Sequence, residues 1–160
     1  MTAPREAIYQ ALFKLVLPLQ GLPQGKLLAP KPFRLVTRTI KEVQRIDPAD
    51  QPILMMYEWN EETLFQGTSL SSKKWTTIFI IGATHPPDVP GSTILNPLAD
   101  AVEAALLPPN PQDDEQTLGG LVTRVVVKGT AAKDHGDNST KTDQRQSAYY
   151  LPVEIILPNS

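Results

Sequence analysis

The sequence predicts an α+β fold in which a mostly antiparallel, mixed sheet of about five strands carries two helices on one face. Three observations lead to this prediction. Residues 4–17 and 94–107 repeat apolar side chains at the helical period, other stretches carry β-forming residues, and clusters of prolines separate these blocks. Because proline has no backbone donor and holds its predecessor in an extended conformation, such clusters mark connections between elements.

Composition limits the fold further. A chain of 160 residues normally forms one domain, and it buries roughly 70% of the surface that its unfolded chain exposes. The sixteen prolines are about twice the usual number, yet with nine glycines the composition is not that of a disordered chain. The absence of cysteine excludes disulfides, thiol nucleophiles, iron–sulfur clusters and cysteine zinc sites. We therefore expect a single domain over residues 1–160.

Two amphipathic helices are predicted. In the first, Pro4 stands at the start, where its missing N–H costs nothing, and Pro18 follows the end. The second covers residues 94–107, and Asn96 and Pro97 are the residue types that open a helix. We therefore expect the second helix to begin at about Asn96.

Five stretches are predicted as strands: 33–40, 53–59, 75–81, 121–130 and 148–157. Both alternating sets of the third stretch are apolar, which indicates a central strand. The last stretch alternates apolar and other side chains, as does a strand with one buried face.

The last strand contains Pro152, and a proline within a strand favours an edge position or a position beside a bulge. Residues 132–147, between the last two strands, are almost wholly polar. A segment of this kind cannot bury enough apolar surface to order itself. It is therefore expected to form a flexible polar arm.

Motifs of catalysis are absent from the sequence. Residues 67–71 (GTSLS) lack the second glycine of a serine hydrolase elbow, and Gly119 and Gly120 precede a strand rather than the helix of a phosphate-binding loop. His85 is expected at the end of a strand, and His135 in an exposed loop. We therefore predict that the protein is not an enzyme.

Cofactor and metal sites are not predicted either. Acidic residues occur at 113–115 and at Asp134, Asp137 and Asp143, but their spacing does not match a calcium loop. A metal site there is conceivable, and a solvated loop is the favoured interpretation. The apolar run 12–22 is broken by Lys14, Pro18 and Gln20, so we expect no membrane span and no signal peptide.

Charge is distributed unevenly along the chain. Residues 1–45 hold eight Lys or Arg against two Glu, a net of +6, and residues 46–160 hold seven against fifteen acids, a net of −8. The basic stretch 26–45 could bind nucleic acid, with Arg34 and Arg38 on one face of a strand. No aromatic interleaving accompanies it, so a solvated face or a subunit contact is the favoured interpretation.

The order and spacing of the blocks resemble those of the tail terminator, or minor tail completion, proteins of long-tailed bacteriophages. The matching stretches are residues 5–13 (REAIYQALF), 36–38 with the turn 48–52, 95–106 (LNPLADAVEAAL), 116–122 (QTLGGLV) with Gly129, and 151–158 (LPVEIILP). The resemblance covers nearly the whole chain, and it depends on the order of the stretches more than on any one of them.

This resemblance implies an α+β subunit of the virion, assembled in the host cytoplasm, without a cofactor or catalytic role. Such subunits form a hexameric ring on the tail tube, stop its polymerisation and provide the surface that the head joins. The implied partners are other copies of the chain, the tail tube protein and head-completion or neck proteins, and DNA passes through the ring without sequence-specific binding.

Opposite charges of the two chain segments could align neighbouring subunits in a ring that is built head to tail. The polar arm would project from the ring and become ordered on contact with a neighbour or the tube, although a hairpin tip without function remains an alternative. The candidate contact residues are Arg34, Arg38, Lys41, Arg45, Lys133, Asp134, Asp137, Lys141 and Arg145.

Two alternatives remain open at this point. The chain could be a head-completion or neck protein, which has the same size but attaches on the portal side. It could also be a small DNA-binding module that uses the basic stretch 26–45, in which case its affinity would fall steeply with salt.

Overall fold

The computed structural model describes residues 3–21, 31–42, 45–66, 70–110, 112, 115–129, 132–134 and 145–158, and at 64–66, 70–72 and 132–134 it describes the backbone alone. The described residues form two α-helices, α1 (Arg5–Val16) and α2 (Gly91–Ala105). The strands are β1 (Leu35–Thr37), β2 (Ile53–Gln66), β3 (Leu70–His85), β4 (Arg124–Val127), β5 (Ala132–Asp134) and β6 (Arg145–Leu157). Short 3₁₀ turns lie at Leu17–Leu19 and Pro48–Asp50.

The strands form one mixed sheet in the order β1-β2-β3-β6-β4, with β5 also paired to β6. β1 and β2 are parallel, and every other pair is antiparallel. β4 pairs with the second half of β6 and β5 with the first half, so the two short strands are two pieces of one sheet edge. The predicted α+β class with a mostly antiparallel, mixed sheet is confirmed.

Both helices pack on the same face of this sheet. Buried side chains of α1 and α2, such as Leu12 and Val102, belong to one apolar cluster with alternate residues of β3 and β6, such as Phe79 and Leu151. β3 lies between β2 and β6, and the central position expected from its two apolar faces is confirmed. The alternation of β6 also places its apolar set in this core, as predicted.

The second helix begins five residues earlier than Asn96, so the expected start is wrong and Pro97 lies inside the helix. α2 follows Pro90 directly and opens with Gly91, which is buried against β3 and β6. A Cβ at Gly91 would lie 2.2 Å from Ser147 Oγ and 3.0 Å from His85 Nε2. The glycine therefore allows the first turn to approach the sheet closely, which no local signal around Asn96 could reveal.

All five predicted strands differ in length from the prediction. β3 extends beyond 75–81 at both ends, to Leu70 and His85, and β6 begins at Arg145 rather than at 148. β1 is only three residues long, because Arg38 turns away toward carboxylates of α1 and β2. β4 starts at Arg124 rather than 121, because residues 117–122 form a turn in which Leu118, Gly119 and Gly120 have positive φ. β2 runs to Gln66, because pairing with β3 extends the strand through residues that carry no apolar alternation.

Pro152 does not mark an edge strand, because β6 lies between β3 and the β4–β5 edge. Its carbonyl oxygen accepts a hydrogen bond from the Lys128 N–H at 3.0 Å, on the β4 side. A residue in a strand directs its N–H and C=O to the same side, so the missing donor of Pro152 also faces that side. There it falls between β4 and β5, where the ladder is already interrupted.

The ends of the predicted arm 132–147 belong to the sheet: 132–134 are β5, and 145–147 open β6. Residues 135–144 lie outside the described residues, and the arm stays a prediction for them. His135, Asp137, Lys141 and Asp143 fall in this range, and the acidic pair 113–114 and Lys26 also lie outside the described residues.

We expect Gly91→Ala to lower the free energy of unfolding by about 1–3 kcal/mol, because the new methyl group would overlap Ser147 Oγ in a packed site. Chemical denaturation measures this. In a Ser147→Gly background the same substitution should cost less, because the overlapping atoms are gone. Ser92→Ala, in the same helical turn, is the control, and an equal cost of Gly91→Ala in both backgrounds would contradict the packing argument.

Candidate interaction surface

The face of the sheet opposite the helices carries three consecutive rows of apolar side chains. The register aligns Leu35 with Ile53, Met55 with Ile80 and Tyr150, and Tyr57 with Ile78 and Pro152. We call these eight residues the open face: Leu35, Ile53, Met55, Tyr57, Ile78, Ile80, Tyr150 and Pro152. Ile46, from the connection between β1 and β2, packs against part of it.

The outer part of the open face remains partly accessible. Ile53 and Met55 are buried, whereas Tyr57, Ile78 and Tyr150 are half-buried. An antiparallel sheet that packs helices on one side usually turns polar side chains toward water on the other side. A contiguous apolar surface on that side is typical of a protein contact. The open face is therefore the candidate interaction surface.

A ladder of alternating charges borders the open face. Lys74 Nζ lies 3.1 Å from Glu154 and 3.9 Å from Glu62, and Lys128 Nζ lies 3.4 Å from Glu154. Partial burial by itself raises the pKa of Glu154, but the hydrogen bonds and charges of the two lysines outweigh it and hold this pKa below its usual value. The ladder limits the apolar surface on this side, so that a partner would meet an apolar centre and a charged rim.

The edge of β2 is open beyond β1. Since β1 pairs only with Ile53–Met55, no strand of the described chain lies beside residues 56–66 on that side; we call this stretch the β2 edge. A bulge occurs there: Glu58 and Asn60 pair with adjacent residues of β3, so Trp59 is the extra residue. Trp59 is 58% exposed and stands edge-on to Tyr57, with ring centroids 5.7 Å apart.

A groove of about 380 Å³ runs along the start of this edge. It is lined by residues 38–40 on one side and 56–58 on the other, where the chain leaves β1 and separates from β2. Ile40, at the groove, is 42% exposed. Two of the four exposed large apolar side chains of the described residues, Ile40 and Trp59, therefore lie at the β2 edge.

Arg38, a predicted contact residue, is engaged within the subunit. Its guanidinium binds Glu6 of α1 through both terminal nitrogens and also Glu58 of β2. The hydrogen bond with Arg38 is the largest influence on Glu6 and lowers the pKa of this carboxyl group. Arg38 thus joins α1 to the sheet, and its side chain is 28% exposed.

A second set of polar contacts lies beside it. Arg5 Nε is 2.8 Å from Glu61, and the Tyr9 hydroxyl donates to the other oxygen of Glu61 at 2.9 Å. Burial, and then the Glu61 carboxylate, raise the pKa of Tyr9, so the hydroxyl stays protonated as a donor. The Tyr9 ring stacks on Trp75 with centroids 5.2 Å apart. These contacts fasten α1 to the hairpin of β2 and β3.

The other predicted contact residues are dispersed. Arg34 and Arg38 stand just before and just after β1 rather than within it, and the Arg34 N–H donates to Pro52 O at 2.9 Å. The Lys41 side chain is exposed, and Arg45 pairs with Glu42 at 3.1 Å on the surface. Arg145 starts β6, which β2 and β3 separate from β1 in the sheet.

Lys133 and Asp134 belong to β5, where only the backbone is described. Asp137 and Lys141 lie outside the described residues.

A buried polar pair that the sequence did not reveal joins the end of β3 to β6. His85 is the last residue of β3, as predicted, and its Nε2 lies 2.6 Å from Ser147 Oγ. Its Nδ1 lies 3.0 Å from Pro86 O, and since a carbonyl only accepts, Nδ1 donates and Nε2 accepts from the Ser147 hydroxyl. Ser147 is 2% exposed, so this pair anchors the start of α2 rather than presenting a nucleophile.

The described residues contain no cluster of three His, Asp or Glu side chains that could bind a metal ion. Within the same ranges, neither helix is long and apolar enough to cross a membrane.

Glu154→Gln tests the charged ladder. Because the pKa of Glu154 is lowered from about 4.5, its ion pairs stabilise the fold fully above that pH and are lost as the pH falls through the lowered value. We expect the variant to be less stable than the wild type by ~0.5–1 kcal/mol at pH 7. Below about pH 4 the difference should shrink toward zero in urea denaturation. Glu103→Gln on α2 is the control, and a difference that persists unchanged at pH 3 would contradict this account.

A scan against models of known protein families found no match, and a search of curated proteins found none. Function is therefore inferred from the sequence pattern and from the geometry of the open face.

Proposed function

We propose that this chain is a structural protein of a phage tail that forms a hexameric ring on the tail tube, ends its polymerisation and provides the surface joined by the head. The single observation that carries the proposal is the open face, three rows of apolar side chains that the described helices leave partly exposed. The likeness of the sequence blocks to tail terminator proteins supplies the biological setting.

The mechanism of such a protein is binding. Ring closure needs two different surfaces on each subunit, because a head-to-tail contact joins unlike patches. The open face and the β2 edge lie together on one part of the sheet, and Tyr57 belongs to both. Covering them with protein would remove apolar area from water, at about 25 cal/mol per Å² before the costs of association. No cofactor is needed for this function.

The basic stretch 26–45 offers less support for a DNA-binding role. Arg38 pairs with Glu6 and Glu58, and Arg45 pairs with Glu42, so part of its positive charge is balanced within the subunit. Proteins that bind DNA through its phosphates need basic side chains that can replace counterions.

The first test is the state of assembly. We expect sedimentation velocity to show a concentration-dependent oligomer, or an oligomer formed with tail tubes, and electron microscopy to show a ring with a central hole. Ile78→Lys and Tyr150→Ser should weaken assembly at least tenfold, because the first places a charge on the open face and the second removes contact area from it. Leu107→Lys, at an apolar residue that is 63% exposed on the loop after α2, is the control.

Circular dichroism would confirm that each variant is folded. A strictly monomeric wild type, both alone and with tail tubes, would contradict the proposal. So would open-face variants that are folded and assemble as well as the control.

The second test removes the gene from the phage that encodes the chain. We expect tails that grow beyond their normal length, because nothing stops polymerisation of the tube. Tails of normal length with unjoined heads would instead identify a head-completion or neck protein, and would contradict the terminator role.

A further inference from the structure

The two edges of the sheet carry unlike charges on the same face. On the β2 edge, Glu62 is 46% exposed, and its one described ion pair is with Lys74 at 3.9 Å, which lies closer to Glu154. On the opposite edge, Arg124 of β4 is 51% exposed and lies 3.8 Å from Glu115. Among the described side chains, each of these residues therefore has a single, long ion pair, 3.9 Å for Glu62 and 3.8 Å for Arg124, and the charge is negative on one edge and positive on the other.

The register places these two charges at the same height. Glu62 pairs with Lys74, Lys74 pairs with Ile156, and Ile156 pairs with Arg124. Residues directly paired across a sheet project from the same face. Glu62 and Arg124 therefore lie at the two ends of one row of paired residues, and both project from the face of the sheet away from the helices.

The directions of β2 and β4 are compatible with antiparallel pairing between two copies of the chain. β2 is antiparallel to β3, β3 to β6, and β6 to β4, so β4 runs opposite to β2. When a second copy is placed beside the first with its helices on the same side, its β4 lies antiparallel to β2. The strand directions then continue to alternate from one subunit to the next.

The β2 edge is suited to receive a strand. Unpaired backbone groups at the edge of a sheet are a template for strand addition. Charges and a bulge protect this edge from unspecific pairing, while the exposed indole of Trp59 offers a side chain of the type most often found at the centre of strong contacts.

On the second copy, part of the outer side of β4 is already hydrogen-bonded, which limits where another strand can pair with it. Gln116 already accepts a hydrogen bond from the Val125 N–H at 2.8 Å on the outer side of β4. Further along β4, Val127 pairs with Val153, and the Lys128 N–H donates to Pro152 O. When these pairs are followed through β6 and β3, Val127 lies in the same row as Glu58, and Lys128 lies in the same row as Tyr57.

We propose that each subunit adds its β2 edge, at Tyr57 and Glu58, to the β4 edge of a second copy, at Val127 and Lys128. One sheet then continues from subunit to subunit, and Glu62 faces the neighbour's Arg124. This inference rests on the proposed ring, and it adds a contact between the β2 edge and the β4 edge to the contact that the open face is proposed to make.

Charge reversal tests the pair directly. Glu62→Arg and Arg124→Glu should each weaken self-association about tenfold or more in sedimentation velocity, because each places like charges opposite one another. An equimolar mixture of the two variants should assemble again, since the arginine introduced in one variant then faces the glutamate introduced in the other, and the native pair meets at the next contact. Asp100→Arg and Lys14→Glu, on the helices, are the charge-matched controls.

Trp59→Ser is the second, independent variant. Since the side chain is largely exposed, its loss should leave the melting temperature nearly unchanged but weaken assembly at least tenfold. Leu107→Ser, at a similarly exposed apolar residue, should have no such effect.

The outcomes separate this inference from the proposed function. A wild-type ring whose assembly survives all three substitutions would overturn the edge contact and leave the ring in place. Recovery on mixing that stops at a dimer would overturn the head-to-tail arrangement. A wild type that is monomeric alone and with tail tubes would overturn the ring and the edge contact together.

Discussion

The central constraint on this structure is that β3 carries apolar side chains on both of its faces. On one face, Phe79 and Ile81 pack under α1 and α2 in the main core. On the other face, Ile80 is buried in a smaller cluster and Ile78 remains half-buried. The helices described in this chain cover one face only, so the second face keeps an apolar surface beside a charged ladder. The proposed association of subunits depends on this partly exposed apolar face.

The charge distribution along the chain predicts contacts between subunits, but several of these charges form ion pairs within the subunit. Residues 1–45 are strongly basic, yet Arg5 and Arg38 bind carboxylates of β2, and Arg38 also binds Glu6. Folding brings the basic and acidic segments together, so part of the charge contrast is balanced by the pairs Arg5–Glu61 and Arg38–Glu58. The weakly compensated charges that remain at the two sheet edges belong to the acidic part of the chain.

Several elements could be predicted from local pattern. The period of 3.6 residues identified both helices, and alternation identified β3 and the buried face of β6, because these patterns record which side chains are removed from water. The lengths of the strands and their neighbours in the sheet were harder to predict. β2 extends through polar residues because β3 pairs with it along its whole length. β1 ends early because the next residue, Arg38, forms ion pairs with Glu6 and Glu58. Pro152 fits an internal strand because its missing N–H faces the gap between β4 and β5, just beyond the last residue pair of β4.

Residue types and their spacing were enough to predict the fold class and the central position of β3, and they include no recognisable catalytic motif. The tertiary structure decided which apolar face stays partly open, which edge strand lacks a neighbour, and that His85 meets Ser147 beside Gly91. The physical reason is that these features depend on contacts between residues far apart in the chain. Pairing register and close packing set such contacts, and neither is encoded in a local period.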